Sequence, residues 1–275
     1  MAAGRVAWFT DPHCADRTIA GGKGASLARL AMAGLPVPDG FVVTSQALTA
    51  DAAVEPALAA EVSDAYSRLG AGPVAVRSSA CAEDSDNASF AGQHETYLNV
   101  RGEAEVVAAV GRCWASVFSE RAVFYRDRKG SHDDVRMAVV IQRQLNPAKS
   151  GVMFTMDPVQ RRRDRMVVEA VWGLGEAVVS GRVTPDHYVI DRTGIALRMH
   201  ISLQPLLIES LETGGTVERP LTREIGGARV LTDEDLIALA DMGHRLEAIF
   251  GGPQDVERAI QDGQLYLLQS RPVTA

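Results

Sequence analysis

Six short strand-like runs crowd the second half of the chain and most constrain its fold. They are Met137–Leu145, Gly151–Thr155, Val167–Val171, His187–Asp191, Val256–Ile260 and Leu265–Gln269. Many neighbouring runs read as antiparallel partners, and the last two form a hairpin. Helical periods are interleaved with them. Residues 25–33 place Leu27, Leu30 and Ala31 on one side, with Gly34 set to end the helix. Residues 103–125 place Val106, Val110, Trp114 and Val117 on one face. Residues 232–250 open on Thr232 as N-cap, with acidic residues in the first turn. Residues 46–69 have a weaker helical period, Phe41–Thr44 and 74–77 read as strands, and 78–92 as a loop. Mixed helices and antiparallel strands predict a layered α+β fold.

Composition narrows the class. The chain has 275 residues, 46% hydrophobic and 23% charged, as expected of a globular, soluble chain with a sizeable core. A net charge of -7 weighs against a dedicated nucleic-acid binder but allows a local basic cleft for an anion. The three cysteines, Cys14, Cys81 and Cys113, are scattered and form no CxxC, so no disulfide framework or zinc site is expected. With no signal-peptide core and no apolar run of membrane-spanning length, the expected location is cytoplasmic, without membrane partners.

Three segments could carry chemistry. Gly21-Gly22-Lys23-Gly24 precedes the first helical run. Glycines let backbone approach a ligand closely, a helix N-terminus attracts an anion, and Lys23 adds a mobile cation. The spacing is not that of a P-loop, and a glycine turn with a solvated lysine is the alternative. In the second segment Arg77 follows a strand and is followed by Ser78 and Ser79; Gly92 and Thr96 lie beyond. A planar guanidinium suits phosphate oxygens, with Gly92 and Thr96 adding close backbone approach and a hydroxyl. A salt bridge from Arg77 to Glu83 or Asp84 is the alternative.

The third segment is the hairpin "DVERAIQDGQLYLLQSRP". Alternation puts Asp255 and Glu257 on one face of their strand, and Gln269 and Arg271 on one face of theirs. A two-residue Asp262-Gly263 turn pairs Glu257 with Leu268 and splits the two sets. A three-residue turn, Gln261-Asp262-Gly263, brings Glu257, Gln269 and Arg271 to one side, and this turn is expected. A carboxylate and an amide oxygen could then hold Mg²⁺, with Arg271 beside them to meet a phosphate. An exposed polar hairpin face is the alternative. Arg161 to Arg165 reads as a solvated turn, Trp114 as core, and Cys81 as lacking the histidine a nucleophile needs.

Taken together, "GGKGASLARLAMAGLPVPDGFVVT", "VAVRSSACAEDSDNASFAGQHETYLNV", "ASVFSERAVFYR", "SGVMFTMDP", "GLGEAVVSGRVTPDHYVI" and "LLQSRPVT" resemble one family closely. It is the ATP-binding domain of the phosphoenolpyruvate synthase, pyruvate phosphate dikinase and rifampin phosphotransferase group. The resemblance covers nearly the whole chain. It implies an ATP-grasp fold in which two lobes, 1–141 and 142–275, clamp a nucleotide between them. It implies ATP and Mg²⁺ as cofactors. Lys23 and Arg77 would contact phosphates, and Gly92 and Thr96 would line the phosphate end. Gln142, Gln144 and Leu145 would form the hinge beside adenine, and Glu169 would lie near the ribose. Glu257 and Gln269 would hold Mg²⁺, and Arg271 would reach the γ-phosphate side.

The resemblance also implies a reaction in which ATP yields AMP and the β-phosphoryl group passes to a histidine, then to an acceptor. Relatives continue past the "QSRP" hairpin into a phosphohistidine domain, whereas the sequence stops at Ala275 and has no such motif. The histidine is therefore expected on a separate partner. A stand-alone kinase making ADP and phosphorylating a small molecule directly is the alternative, and a non-catalytic nucleotide-binding module is a third reading. Residues 45–73 are short for the family, His94 replaces a common glutamine, and Arg258 stands where a tryptophan is usual. Alternation puts Arg258 on the face opposite Glu257, so a packing change is expected rather than loss of a metal ligand.

Overall fold

The computed structural model describes residues 4–49, 52–81, 95–117 and 136–273. Gly92 and His94 lie outside them. The chain divides into two compact units. The first comprises Met1–Gly34, Pro38–Gln144 and Glu212–Gly215; the second comprises Leu35–Val37, Leu145–Leu211 and Thr216–Ala275.

In the first unit the elements run β1 (Val6–Trp8), α1 (Arg17–Met32), β2 (Gly40–Val43), α2 (Pro56–Arg68), β3 (Val74–Ala80), β4 (Thr96–Val100), α3 (Glu103–Val117) and β5 (Met137–Arg143). The strands form one antiparallel sheet in the order β1-β2-β5-β3-β4. On one face, Phe41, Val43, Val76, Val139 and Ile141 pack with Leu58, Val62 and Tyr66 of α2 and Val106, Val110 and Trp114 of α3. Trp114 is core, as its helical spacing predicted, and its indole N–H donates to the Met137 carbonyl at 3.2 Å. Helix α1 lies on the other face, where Gly24 leaves room for Val42 and Val140.

Several boundaries differ from expectation: the helix expected over 46–69 begins at Pro56, the strand expected from Val167 begins at Arg165, and two differences fall at the candidate site. Helix α1 starts at Arg17, eight residues before the expected Ala25, so the glycines are inside it. Ser78 and Ser79 are fully buried strand residues rather than loop, because β3 pairs with β5 as far as Ala80–Met137.

The second unit contains β6 (Lys149–Phe154), β7 (Arg165–Trp172), α4 (Glu176–Val179), β8 (Asp186–Asp191), β9 (Ala196–His200), β10 (Leu206–Ser210), β11 (Thr216–Pro220), α5 (Arg223–Gly226), α6 (Asp233–Phe250), β12 (Gln254–Gln261) and β13 (Gln264–Pro272). Its antiparallel six-stranded sheet has the order β13-β12-β6-β7-β8-β9, and β10 and β11 pair separately. Helix α6 covers one face with Leu236, Leu239, Ala240 and Leu246 buried. Thr232 caps it in a full capping box with Asp235, whose carboxylate also binds the Lys149 ammonium of β6 at 2.7 Å. Mixed helices and antiparallel sheets make the fold α+β, consistent with ATP-grasp. Among the described residues no helix is long and apolar enough to cross a membrane.

One buried carboxylate fastens the connection after β9 to the sheet. Asp186 is fully buried; its Oδ1 accepts from the Ser202 amide at 3.0 Å and the Gln204 side chain at 3.4 Å. Its Oδ2 accepts from the Val230 amide at 3.0 Å and the Tyr188 hydroxyl at 2.8 Å. Burial and this carboxylate push the Tyr188 phenol well above its ordinary pKa. An Asp186→Asn amide must turn its NH₂ toward two donors in either orientation. Chemical denaturation of that variant should show a loss of about 1–3 kcal/mol, and an unchanged midpoint would contradict the network.

Candidate functional site

In the first unit the candidate side chains share the α1 face of the sheet. Ala75, Arg77 and Ser79 alternate toward it along β3, while Val74, Val76 and Ala80 enter the core on the other side. Thr96 is the cross-strand partner of Arg77, and Gln142 is that of Ala75, so both share the face. Lys23 and Arg77 are only 8% and 9% exposed. Charges this far from water are screened less than surface ones.

The glycine segment differs from expectation. Gly21 has φ 70° and ψ 177° and breaks α1 into two segments. A Cβ there would lie 2.1 Å from the Ser79 carbonyl oxygen, so no other residue fits without rearrangement. The Ser79 hydroxyl fills the break, donating to the Ala20 carbonyl at 2.9 Å and accepting from the Gly24 amide at 3.2 Å. Free amides at a helix N-terminus are expected of this segment, but the Gly24 amide lies within α1 and is taken by a neighbouring strand.

The residues expected to form the hinge lie at and just beyond the end of β5. Gln142 is 1% exposed and donates its amide to the Pro38 carbonyl at 3.3 Å. The Gln144 amide oxygen accepts from the Asn99 backbone at 3.4 Å. Leu145, the first residue after Gln144, is half-buried.

In the second unit one row of register partners crosses the six-stranded sheet. It runs Gln269, Glu257, Val152, Glu169, His187 and His200. The row is on the face opposite α6. The metal candidates Glu257 and Gln269 are direct cross-strand partners, and Glu169 lies two strands from Glu257 on the same face. The adjacent row brings Asp255 opposite Arg271, with Arg271 Nε donating to Asp255 Oδ2 at 2.8 Å.

The hairpin reaches this arrangement by a route other than the expected three-residue turn. Gln261 pairs with Gln264, leaving a two-residue Asp262-Gly263 turn with φ of 52° and 74°. Positive φ at both central residues suits the twist of a tight hairpin. That register would set Glu257 opposite Leu268, but the ladder shifts by one residue between Arg258 and Glu257. Leu268 is the extra residue of a β-bulge, and beyond it Glu257 meets Gln269.

Sequence reasoning gave no role to two members of this face. Asp255 holds the Arg271 guanidinium, and alternation along β12 already set it beside Glu257. His187 lies with Nδ1 3.6 Å from Glu169 Oε1, a pairing only the β7–β8 register shows. Arg258 points to the α6 face, as alternation required, and is 1% exposed. Burial pushes its guanidinium down to about 10.

A family model described as the pyruvate phosphate dikinase, AMP/ATP-binding domain matches residues 46–275. The chain belongs to this family. Among curated proteins it is similar to one named "Probable phosphoenolpyruvate synthase" from Methanothermobacter thermautotrophicus. The two are 41% identical over 98% of this chain and 46% of that protein. It is also 39% identical to a rifampicin phosphotransferase from a Streptomyces species, over 100% of this chain and 36% of that protein. The chain thus spans less than half the length of these curated relatives. Among solved structures, D-alanyl-alanine synthetase A from Vibrio cholerae matches with TM-score 0.44 and 12% identity, over 92% of this chain and 55% of that one. That likeness is too remote to carry an argument. The match to the dikinase AMP/ATP-binding family spans both the α1-face residues from Arg77 onward and the hairpin row.

Proposed function

We propose that this chain binds Mg²⁺-ATP and passes a phosphoryl group from it to a histidine on a separate domain or protein. The observation that carries the reading is the Glu257–Gln269 register pair, with Glu169 in the same row, inside an AMP/ATP-binding family match. Phosphoryl transfer asks a protein chiefly for positioning and charge neutralisation, and these residues are of the types that supply both.

Glu257 and Gln269 fit a magnesium ion by donor chemistry: one carboxylate and one amide oxygen, both hard ligands, side by side. The ion, when bound, would neutralise charge on the phosphate oxygens. Lys23 and Arg77 would hold phosphate oxygens by charge-assisted hydrogen bonds, strengthened by their burial. Thr96, opposite Arg77, would add a hydroxyl. Arg271, about half exposed, would exchange Asp255 for the γ-phosphate side of the nucleotide. Glu169 would accept from ribose hydroxyls. The Gln142 side chain is committed to Pro38, so adenine contacts would fall to the segment at Gln144 and Leu145.

Chromatography of the nucleotides formed from Mg²⁺-ATP, with and without extract of the source organism, tests the reading. AMP formation supports transfer through a histidine, and its dependence on extract points to the partner. ADP formation overturns that route in favour of a direct kinase with a small-molecule acceptor. ATP binding without turnover in either condition leaves a nucleotide-binding module.

A further inference from the structure

The nucleotide face of the second unit has a buried brace on its reverse side. Arg258 follows Glu257 on β12 and points toward α6. Its register partner on β6 is Gly151, which has no side chain to obstruct it. The guanidinium therefore reaches across β6, and Nη2 donates to the main-chain carbonyl of Glu169 on β7 at 3.0 Å. Its Nε and Nη1 are buried and find no acceptor among the described residues.

A fully buried guanidinium with unpaired N–H groups opposes folding, because its desolvation is only partly compensated. An apolar side chain of similar volume would suit this pocket better. The bond from Arg258 to Glu169 spans from the strand of Glu257 to the peptide of Glu169. The carboxylates of both residues emerge on the opposite face, either side of Val152. We propose that Arg258 is a positioning residue for nucleotide binding, holding the Glu169 peptide so that its carboxylate meets the ribose hydroxyls at a set spacing from Glu257. The inference rests on the nucleotide reading above and assigns the α6 side of the sheet a part in it.

The position carries two effects of opposite sign, which a purely structural residue does not. Arg258→Met removes the buried charge and keeps much of the volume. Its melting temperature should be unchanged or higher, while calorimetry with Mg²⁺ should show ATP binding about tenfold weaker. Affinity for 2′,3′-dideoxy-ATP, which lacks the hydroxyls Glu169 would meet, should be the same for Arg258→Met and wild type. In an Glu169→Ala background, Arg258→Met should cause no further loss of ATP affinity.

Unchanged ATP affinity in Arg258→Met overturns the proposal. So does an equal loss in the Glu169→Ala background, or a melting temperature that falls in step with affinity. If Arg258→Met does not fold, Arg258→Lys, which keeps the charge on a shorter donor, is judged by the same comparisons. Wild-type protein that binds no ATP overturns the nucleotide reading itself. Wild-type binding that is indifferent to residue 258 overturns only the brace.

Discussion

Glu257→Ala should abolish nucleotide turnover, lowering product release from Mg²⁺-ATP by at least about 100-fold, the range for loss of a key transition-state charge contact. The fold should survive. Glu257 is half-buried on the face away from α6 and contributes nothing to the buried layer there. Arg271→Ala should cause a comparable loss for a different reason: the cation that would meet the γ-phosphate side is gone, and with it the Arg271 bond to Asp255. Arg271 is half exposed but the Asp255 side chain is only 12% exposed, so removing the arginine should cost up to about 1–3 kcal/mol. The check is initial-rate nucleotide release beside a thermal melt. Full activity in either variant would mean that the hairpin is not the phosphate-end site.

Gly151→Ala should be strongly destabilising to the second unit. Gly151 has φ 156°, and a Cβ there would lie 1.9 Å from the Glu169 carbonyl oxygen and 3.0 Å from the Ala170 Cα. Both neighbours are backbone of the adjacent strand, so no side-chain rotation relieves the clash. Either β6 and β7 part, or Gly151 takes a backbone conformation that removes it from the ladder. The expected loss is roughly 3–5 kcal/mol from overpacking and strain together, a large share of a typical domain's stability. Urea denaturation measures it. The same methyl would press on the carbonyl that Arg258 holds, so ATP affinity should fall with stability. A loss under about 1 kcal/mol would show that the strands separate easily at this point.

Much of this molecule follows from short-range rules acting on its sequence. Alternation along β12 puts Asp255 and Glu257 on one face and Arg258 on the other, because successive side chains of any strand point oppositely. Thr232 caps α6 and Trp114 enters the core because capping and helical period depend only on residues within a few positions. The long ordered motifs pointed to the family for a similar reason: they are local strings.

Tertiary structure decided what lies between strands. The β12–β13 turn has two residues, and Glu257 meets Gln269 because a bulge at Leu268 moves the register by one. A bulge depends on what the other strands of the sheet demand, and neither hairpin strand alone specifies it. The break at Gly21 forms because β3 supplies Ser79, more than fifty residues along the chain, to satisfy the interrupted helix. The pairing of His187 with Glu169, and the reach of Arg258 over Gly151 to the Glu169 carbonyl, likewise exist only once β12, β6, β7 and β8 lie side by side. Local propensity set which face each side chain takes. Long-range packing set which side chains meet there, because register is a property of paired strands and not of any one of them.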